Sequence, residues 1–383
     1  MRREDSEPRA NWQERCEAAG FGYHSMDGVY WDETARYAFS AAEVDLLEAA
    51  TEELHQLCLA AVDVVVKEGR MGQFAIPEPF HAMVADSWQR RDPSMLGRFD
   101  FSWDGEGNPK MLEYNADTPT SLLEASVVQW HWLEDVRPQA DQFNSLHEKL
   151  VERWGLLKGA DAPRPLWFAS VKDNDEDFGN TEYLRDTALQ AGWDARAVWI
   201  EDLGWDASRK CFVDLEDVPV ERIFKLYPWE WMVREAFGPH LLLQNTHWLE
   251  PAWKMLLSNK ALLAVLWELN YGHPNLLPAY FSPSHFAGEY VKKPLLSREG
   301  ANVTLNRRLG VVREPGGYGA EGWVYQGYAP LPGYEVRNAA DAAKRYPVIG
   351  SWVIGDAAAG IGIREDDTPI TRNTSRFVPH YFE

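Results

Sequence analysis

The run RFDFSWDGEGNPKMLEYN, Arg98 to Asn115, holds the residues whose types and spacing promise chemistry. Phe99 and Phe101 alternate with Arg98, Asp100 and Ser102, and Met111 with Leu112 leads into Glu113-Tyr114-Asn115, so each half reads as a strand. Asp104 to Asn108 supplies the turn, with Gly105 and Gly107 free to take positive φ. Side chains two apart on a strand share a face, which groups Arg98 with Asp100 and Glu113 with Asn115. A hairpin then gathers three oxygen donors, Asp100, Glu113 and Asn115, as magnesium prefers, and sets the fixed charge of Arg98 beside them to stabilise a transferring phosphoryl group. A solvated hairpin whose acids face water fits the same text, so the pattern needs a nucleotide site elsewhere.

Lys260 and Lys293 offer that site. Lys260 falls near the middle of a helix predicted over 253–269, with a break at Ser258-Asn259, and Lys293 on a strand in EYVKKPLLSREGANV. Lys292 and Lys293 point in opposite directions, so one of them faces any given cleft. Ser297 to Asn302, with Gly300, reads as a flap over phosphates, and Trp323 to Gln326 as a further strand. Two lysines on separate elements can hold α and β phosphates from two sides. A Walker motif and the kinase H-R-D and D-F-G triplets are absent.

The elements that must position these groups are legible as pattern. Residues 41–68 place Val44, Leu47, Leu54, Leu57, Ala61 and Val65 at helical spacings. After the hairpin, TPTSLLEASVVQWHWLED reads as a helix capped by Thr118 or Thr120, whose N-terminal amides can receive an anion. Leu166 to Val171, a helix from near Thr181 and Glu182 to Gly192, and ARAVWI form a strand, helix, strand unit, and VERIFKLYPWEW starts another. The acidic loop between, KDNDEDFGN, opens at the carboxyl edge of a strand, where α/β sheets place ligands. Its Asp173, Asp175, Glu176 and Asp177 are candidates to hold a polyamine, or a solvated turn.

At 383 residues the chain accommodates two or three domains of about 100–200 residues each. Its formal charge of −21 argues against nucleic-acid or anionic-membrane partners. Cys16, Cys58 and Cys211 are too few and too scattered for a disulfide framework or a C-x-x-C metal site. The 18 tryptophans lack the basic groove that base stacking needs, so they belong to cores and domain contacts. The N-terminus is charged where a signal peptide is apolar, and no run reaches the roughly 18 apolar residues of a membrane span. A cytoplasmic protein is expected.

Together these motifs resemble the glutathionylspermidine synthase family of ATP-grasp ligases. The resemblance rests on RFDFSWDGEGNPKMLEYNADTPTSLLEA, YVKKPLLSREGANV, YQGYAPLPGY and GSWVIGDAAAGIGIREDDTPITRNTS. It implies a mixed α/β (α+β) ATP-grasp fold preceded by a Rossmann-like unit. The expected division is an N-terminal helical part (1–95), a metal-binding hairpin and helix (96–160), a Rossmann-like substrate unit (161–235) and a nucleotide-binding lid with the C-terminal part (236–383). By resemblance, Asp100, Glu113 and Asn115 hold two magnesium ions, Arg98 and Arg364 are catalytic on the phosphate side, and Lys260, Lys293, Gln326 and Arg364 bind ATP, with Gln326 at the adenine hinge. Arg298 meets the peptide substrate, with Thr118, Thr120 and Glu182 as further substrate residues. The implied activity joins a glutathione-like carboxylate to a polyamine-like amine through an acyl phosphate.

Two departures bear on that reading. The bifunctional relatives carry an amidase domain ahead of the synthetase, which this text lacks, so bond formation without cleavage is expected. The flap reads SREGANV in place of a Gly-Arg-Cys-Gly-like run, which touches substrate identity more than ATP use. The rival readings are a protein that binds nucleotide or peptide without ligating, and a phosphotransferase that stops at the phosphorylated carboxylate.

Overall fold

The computed structural model describes residues 1–26, 28–158, 165–336 and 344–383. The boundary expected at 160/161 lies outside the described residues.

The hairpin forms as its alternation requires: Leu96–Ser102 pairs antiparallel with Lys110–Asn115, and Gly105 and Gly107 take φ of 97° and 62° in the turn. The register sets Arg98 opposite Asn115 and Asp100 opposite Glu113, with a bulge after Asp100. Residues opposite one another point to the same face, so the two carboxylates are neighbours. The hairpin does not join the parallel unit; it extends a sheet made by the C-terminal third, in the order 376–378, 357–366, 344–354, 96–102, 110–115. The long helix Ala41–Lys67, started by a Ser40/Glu43 capping box, covers this sheet. It buries Val44, Leu47, Leu54, Ala61 and Val65, whereas Leu57 is half-buried. Strands Arg2–Asp5, Ala35–Phe39 and His380–Phe382 bring the two chain ends into one small sheet.

The strand, helix, strand unit is an all-parallel sheet in the order 247–249, 222–225, 166–170, 195–199, with Asp175–Gln190 as the crossover helix. That helix starts six residues before Thr181, so most of the acidic stretch forms its first turns; Asn174 caps it by accepting the Asp177 amide at 3.0 Å. Acidic side chains suit that position because they meet the positive end of the helix dipole. A buried Glu250 locks this unit to the hairpin sheet. Its carboxylate accepts the Met95 and Leu96 amides at 3.0 and 2.9 Å and pairs with Lys254 at 3.0 Å.

The third sheet is antiparallel, in the order 279–280, 323–327, 290–294, 304–307, 310–313, with helix Ala261–Leu269 packed against it. Lys260 sits at the start of this helix, not in its middle: Ala252–Met255 is a separate 3-10 turn, and the break at 256–260 brings the Lys260 amide to the Leu295 carbonyl at 2.9 Å. The helix after the hairpin begins at Leu122, and neither Thr118 nor Thr120 caps it. The Leu122 amide is taken at 2.8 Å by the side-chain oxygen of Asn180, from the crossover helix. A π-helical turn, Glu124–Val128, precedes its α-helical part, Gln129–Val136.

Candidate active site

The three sheets meet at a cavity of about 530 Å³, and most of the residues singled out from the sequence line it. Arg98, Asp100, Glu113 and Asn115 come from the hairpin, Lys260 and Lys293 from the antiparallel third sheet and its helix, Arg298 from the loop after strand 290–294, Arg364 from the C-terminal sheet, and Thr118 and Thr120 from the link after the hairpin. The parallel sheet presents the carboxyl ends of its strands, Val171 to Asp177 and Leu226 to Trp231, as open α/β sheets do.

The charges interlock. The Arg98 guanidinium donates to Asp100 at 2.8 Å and to the Thr120 carbonyl at 2.7 Å, and Arg364 reaches the other Asp100 oxygen at 2.6 Å. Gly350, opposite Asp100 in the neighbouring strand, makes room for this, since a Cβ there would stand 2.8 Å from Arg98 Cδ. Lys260 Nζ lies 3.3 Å from Glu113 and donates to the Ser297 carbonyl at 2.5 Å, tying the hairpin to the root of the flap. Lys293 Nζ donates to the Leu112 carbonyl at 2.7 Å. Lys292 points away, its ammonium 3.6 Å above the Trp323 ring.

Burial alone would raise the Asp100 carboxyl, but Arg98 and Arg364 outweigh it and hold it below its usual range; Lys260 and Lys293 do the same for Glu113. Both are carboxylates at neutral pH. Burial lowers Lys293 to about 8, opposed by Glu113 and reinforced by Lys260. Where the parallel sheet meets the cavity, burial raises Glu176, and together with Glu176 it lifts Asp177 to about 7.

Over residues 3–383 the sequence matches the family described as glutathionylspermidine synthase preATP-grasp. The chain belongs to the glutathionylspermidine synthase family. A Haemophilus influenzae protein described as "Putative acid--amine ligase" is 45% identical over 380 residues, covering 95% of this chain and 94% of that one. Trypanothione synthetase of Crithidia fasciculata and the bifunctional glutathionylspermidine synthetase/amidase of Escherichia coli are each 27% identical, covering 98% and 88% of this chain. The chain spans about three fifths of the length of those two relatives, 62% and 58%. Among solved structures, a glutathione synthetase-like effector of Globodera pallida in its apo form superposes with a TM-score of 0.62 at 12% identity, covering 97% of this chain and 96% of that one, and supports the ATP-grasp-type fold. The family makes this protein an ATP-dependent ligase acting on an acid and an amine.

Within this glutathionylspermidine synthase family chain, two expected residues stand apart from the cavity. Glu182 faces a separate hollow on the far side of the crossover helix and pairs with Arg185 at 2.5 Å, because the helix starts at Asp175 and turns Glu182 away. Gln326 is buried behind the lid strands, where its amide donates to the Met111 carbonyl at 3.0 Å and its oxygen has no partner. It clamps lid to hairpin. Asn115 turns inward: its oxygen accepts the Thr118 amide at 3.2 Å and its amide donates to the Thr118 carbonyl at 3.3 Å, leaving the buried Thr118 hydroxyl unpartnered.

Sequence reading missed Asp117 and Glu230. Asp117 is fully buried, receives Lys225 at 2.6 Å and the Trp229 amide at 2.9 Å, and so fixes the turn that carries Glu230 and Trp231 into the cavity. Glu230 pairs with Arg298 of the flap at 3.3 Å. The available signal was Asn115-Ala116-Asp117, which keeps the hairpin's i, i+2 polar spacing. Among the described residues no three His, Cys, Asp or Glu side chains cluster as a metal site, and no helix is long and apolar enough to cross a membrane.

Proposed function

We propose that this ligase uses ATP to phosphorylate a peptide carboxylate of the glutathione type and passes the acyl group to a polyamine-like amine. The observation that carries this reading is the confrontation of Asp100 and Glu113 with Lys260 and Lys293 across one cavity. Both lysines proposed to bind nucleotide and both carboxylates thereby line one cavity. The substrate classes are taken from the trypanothione synthetase and glutathionylspermidine synthetase relatives.

Two ionised carboxylates and an amide oxygen suit magnesium, which keeps water and phosphate oxygens as its remaining ligands. When bound, the ion would neutralise phosphate charge. Asp100 and Glu113 would hold it, and Asn115 would add its oxygen once that oxygen is released from the Thr118 amide. Each carboxylate now faces a cation, Arg364 or Lys260, and these cations would be free to turn to phosphate oxygens.

In the first step a carboxylate oxygen of the peptide attacks the γ phosphorus and the bond to ADP breaks. Arg98, held by Asp100 and the Thr120 carbonyl, offers positive charge to the transferring group, as phosphoryl transfer demands. Lys260 and Lys293 hold the nucleotide phosphates. In the second step the amine nitrogen attacks the acyl carbon, phosphate leaves, and the amine gives up a proton. Glu176 and Asp177, which line the same cavity, attract the ammonium groups of the amine. Arg298 orients the peptide, and its pairing with Glu230 couples flap closure to the filled site.

A matrix of small thiol peptides against diamines and polyamines, with ADP release as the readout, tests the proposal. Sustained ADP release should require a peptide and an amine together, and Glu113→Ala should abolish it. Release independent of either substrate, or untouched by Glu113→Ala, would defeat the reading.

A further inference from the structure

A second cavity, of about 230 Å³, lies at the amino-terminal end of the parallel sheet, the end opposite the active cleft. The first strand residues Leu166 and Arg222 open onto it, and four indoles, Trp154, Trp193, Trp229 and Trp248, line it. Three of the four spend their N–H elsewhere: Trp154 on Thr187 at 3.0 Å, Trp193 on the Trp154 carbonyl at 2.9 Å and Trp229 on the Glu250 carbonyl at 3.0 Å. What they offer the cavity is aromatic surface.

Most polar groups in the wall are already satisfied. Arg90 is clamped by Asp92 at 2.7 Å and Gln244 at 2.6 Å, Gln244 also donates to Asp86 at 2.9 Å, and Thr246 donates to the Val220 carbonyl at 2.9 Å. Two are not. Ser87, wholly buried, has a hydroxyl with no partner, and Arg222 has a buried Nη1 with no partner, its guanidinium 5.7 Å from the centre of the Trp193 ring. Buried donors left unmade cost folding free energy. A cavity that keeps one unpaired cation edge and one hydroxyl amid aromatic rings has the makings of a ligand site at a domain seam.

We propose that this cavity binds a small aromatic carboxylate, its ring among the indoles and its carboxylate on Arg222 and Ser87. The volume falls below the roughly 300 Å³ of a drug-sized pocket, so the occupant is a single-ring molecule. A planar anion matches the guanidinium edge and accepts from the hydroxyl at once. The site is independent of the ligase chemistry at the other end of the sheet.

The test titrates 4-fluorobenzoate into the full chain and follows it by fluorine NMR, with neutral 4-fluorobenzamide as the comparison. Benzoate should saturate, bind about tenfold or more tightly than the benzamide, and lose that advantage in Arg222→Gln, as expected for a hydrogen bond to a charged partner. Ser87→Val, which fills the cavity from helix His81–Gln89, should abolish both. Circular dichroism checks that each variant is folded, and either one alone keeps the test alive. Absence of saturation in the wild type, a benzoate affinity in Arg222→Gln equal to that of the wild type, or unchanged binding in Ser87→Val would overturn the assignment and leave a water-filled cavity.

Discussion

Replacing Gly350 by alanine isolates the positioning of Arg98 from its chemistry. Gly350 is not among the positive-φ positions, so alanine brings no backbone strain, only a methyl group 2.8 Å from Arg98 Cδ. Reaching the 3.4 Å of an ordinary contact requires a shift of about 0.6 Å in the middle of the arginine side chain. The guanidinium cannot absorb it freely, since Asp100 and the Thr120 carbonyl hold it at 2.8 and 2.7 Å. A misplacement on the order of 1 Å can cost about 10²-fold in rate, so kcat should fall roughly tenfold to a hundredfold. Overpacking should cost about 1–3 kcal/mol of stability. Steady-state ADP release at saturating substrates, beside thermal unfolding, measures both. Gly317→Ala is the control, because nothing stands within 4 Å of a Cβ there. A Gly350→Ala enzyme with kcat within twofold of wild type would refute the reasoning that Arg98 acts from this fixed position.

Other expectations follow from the same geometry. Lys225→Met strips the cation from buried Asp117 and should destabilise the protein by about 3–5 kcal/mol in urea unfolding; a loss under 1 kcal/mol would show that the carboxylate finds other compensation. Asp177, raised to about 7 by burial and by Glu176, binds an ammonium group only when ionised. Its ionised fraction therefore grows as pH rises, and kcat/KM for the amine should increase about tenfold between pH 6 and 8. Asp177→Asn should flatten that rise, and a profile of unchanged slope would remove Asp177 from the amine site. Chelation of magnesium should abolish ADP release, and Glu113→Gln should raise the magnesium concentration needed for half activity; persistence of full activity in chelator would exclude the proposed metal role.

The hairpin was legible because alternation, a glycine-bearing turn and i, i+2 polar spacing are local signals, and the pairing of Asp100 with Glu113 follows from register alone. Strand alternation shows only that one of Lys292 and Lys293 faces the cleft; the family resemblance, through the Pro294 that follows, points to Lys293, and the structure turns Lys293 to the cavity and Lys292 to Trp323. Helix starts were harder. The run Asp175-Glu176-Asp177 looks like a loop by composition, yet it complements a helix dipole, and shifting the start to Asp175 carries Glu182 away from the cleft. Lys260 reads as mid-helix because apolar runs flank Ser258-Asn259-Lys260 on both sides, and nothing local reveals that the break there delivers its amide to Leu295. Partners far apart in sequence were invisible: Asn180 on the Leu122 amide and Lys225 on Asp117 join positions 58 and 108 residues apart.

The central claim, that the cleft activates a carboxylate by phosphorylation before an amine takes the acyl group, is tested most directly with ¹⁸O. A peptide substrate labelled in its reacting carboxylate should deliver one labelled oxygen to the phosphate released with ADP. Unlabelled phosphate, or cleavage of ATP to AMP, would contradict the account.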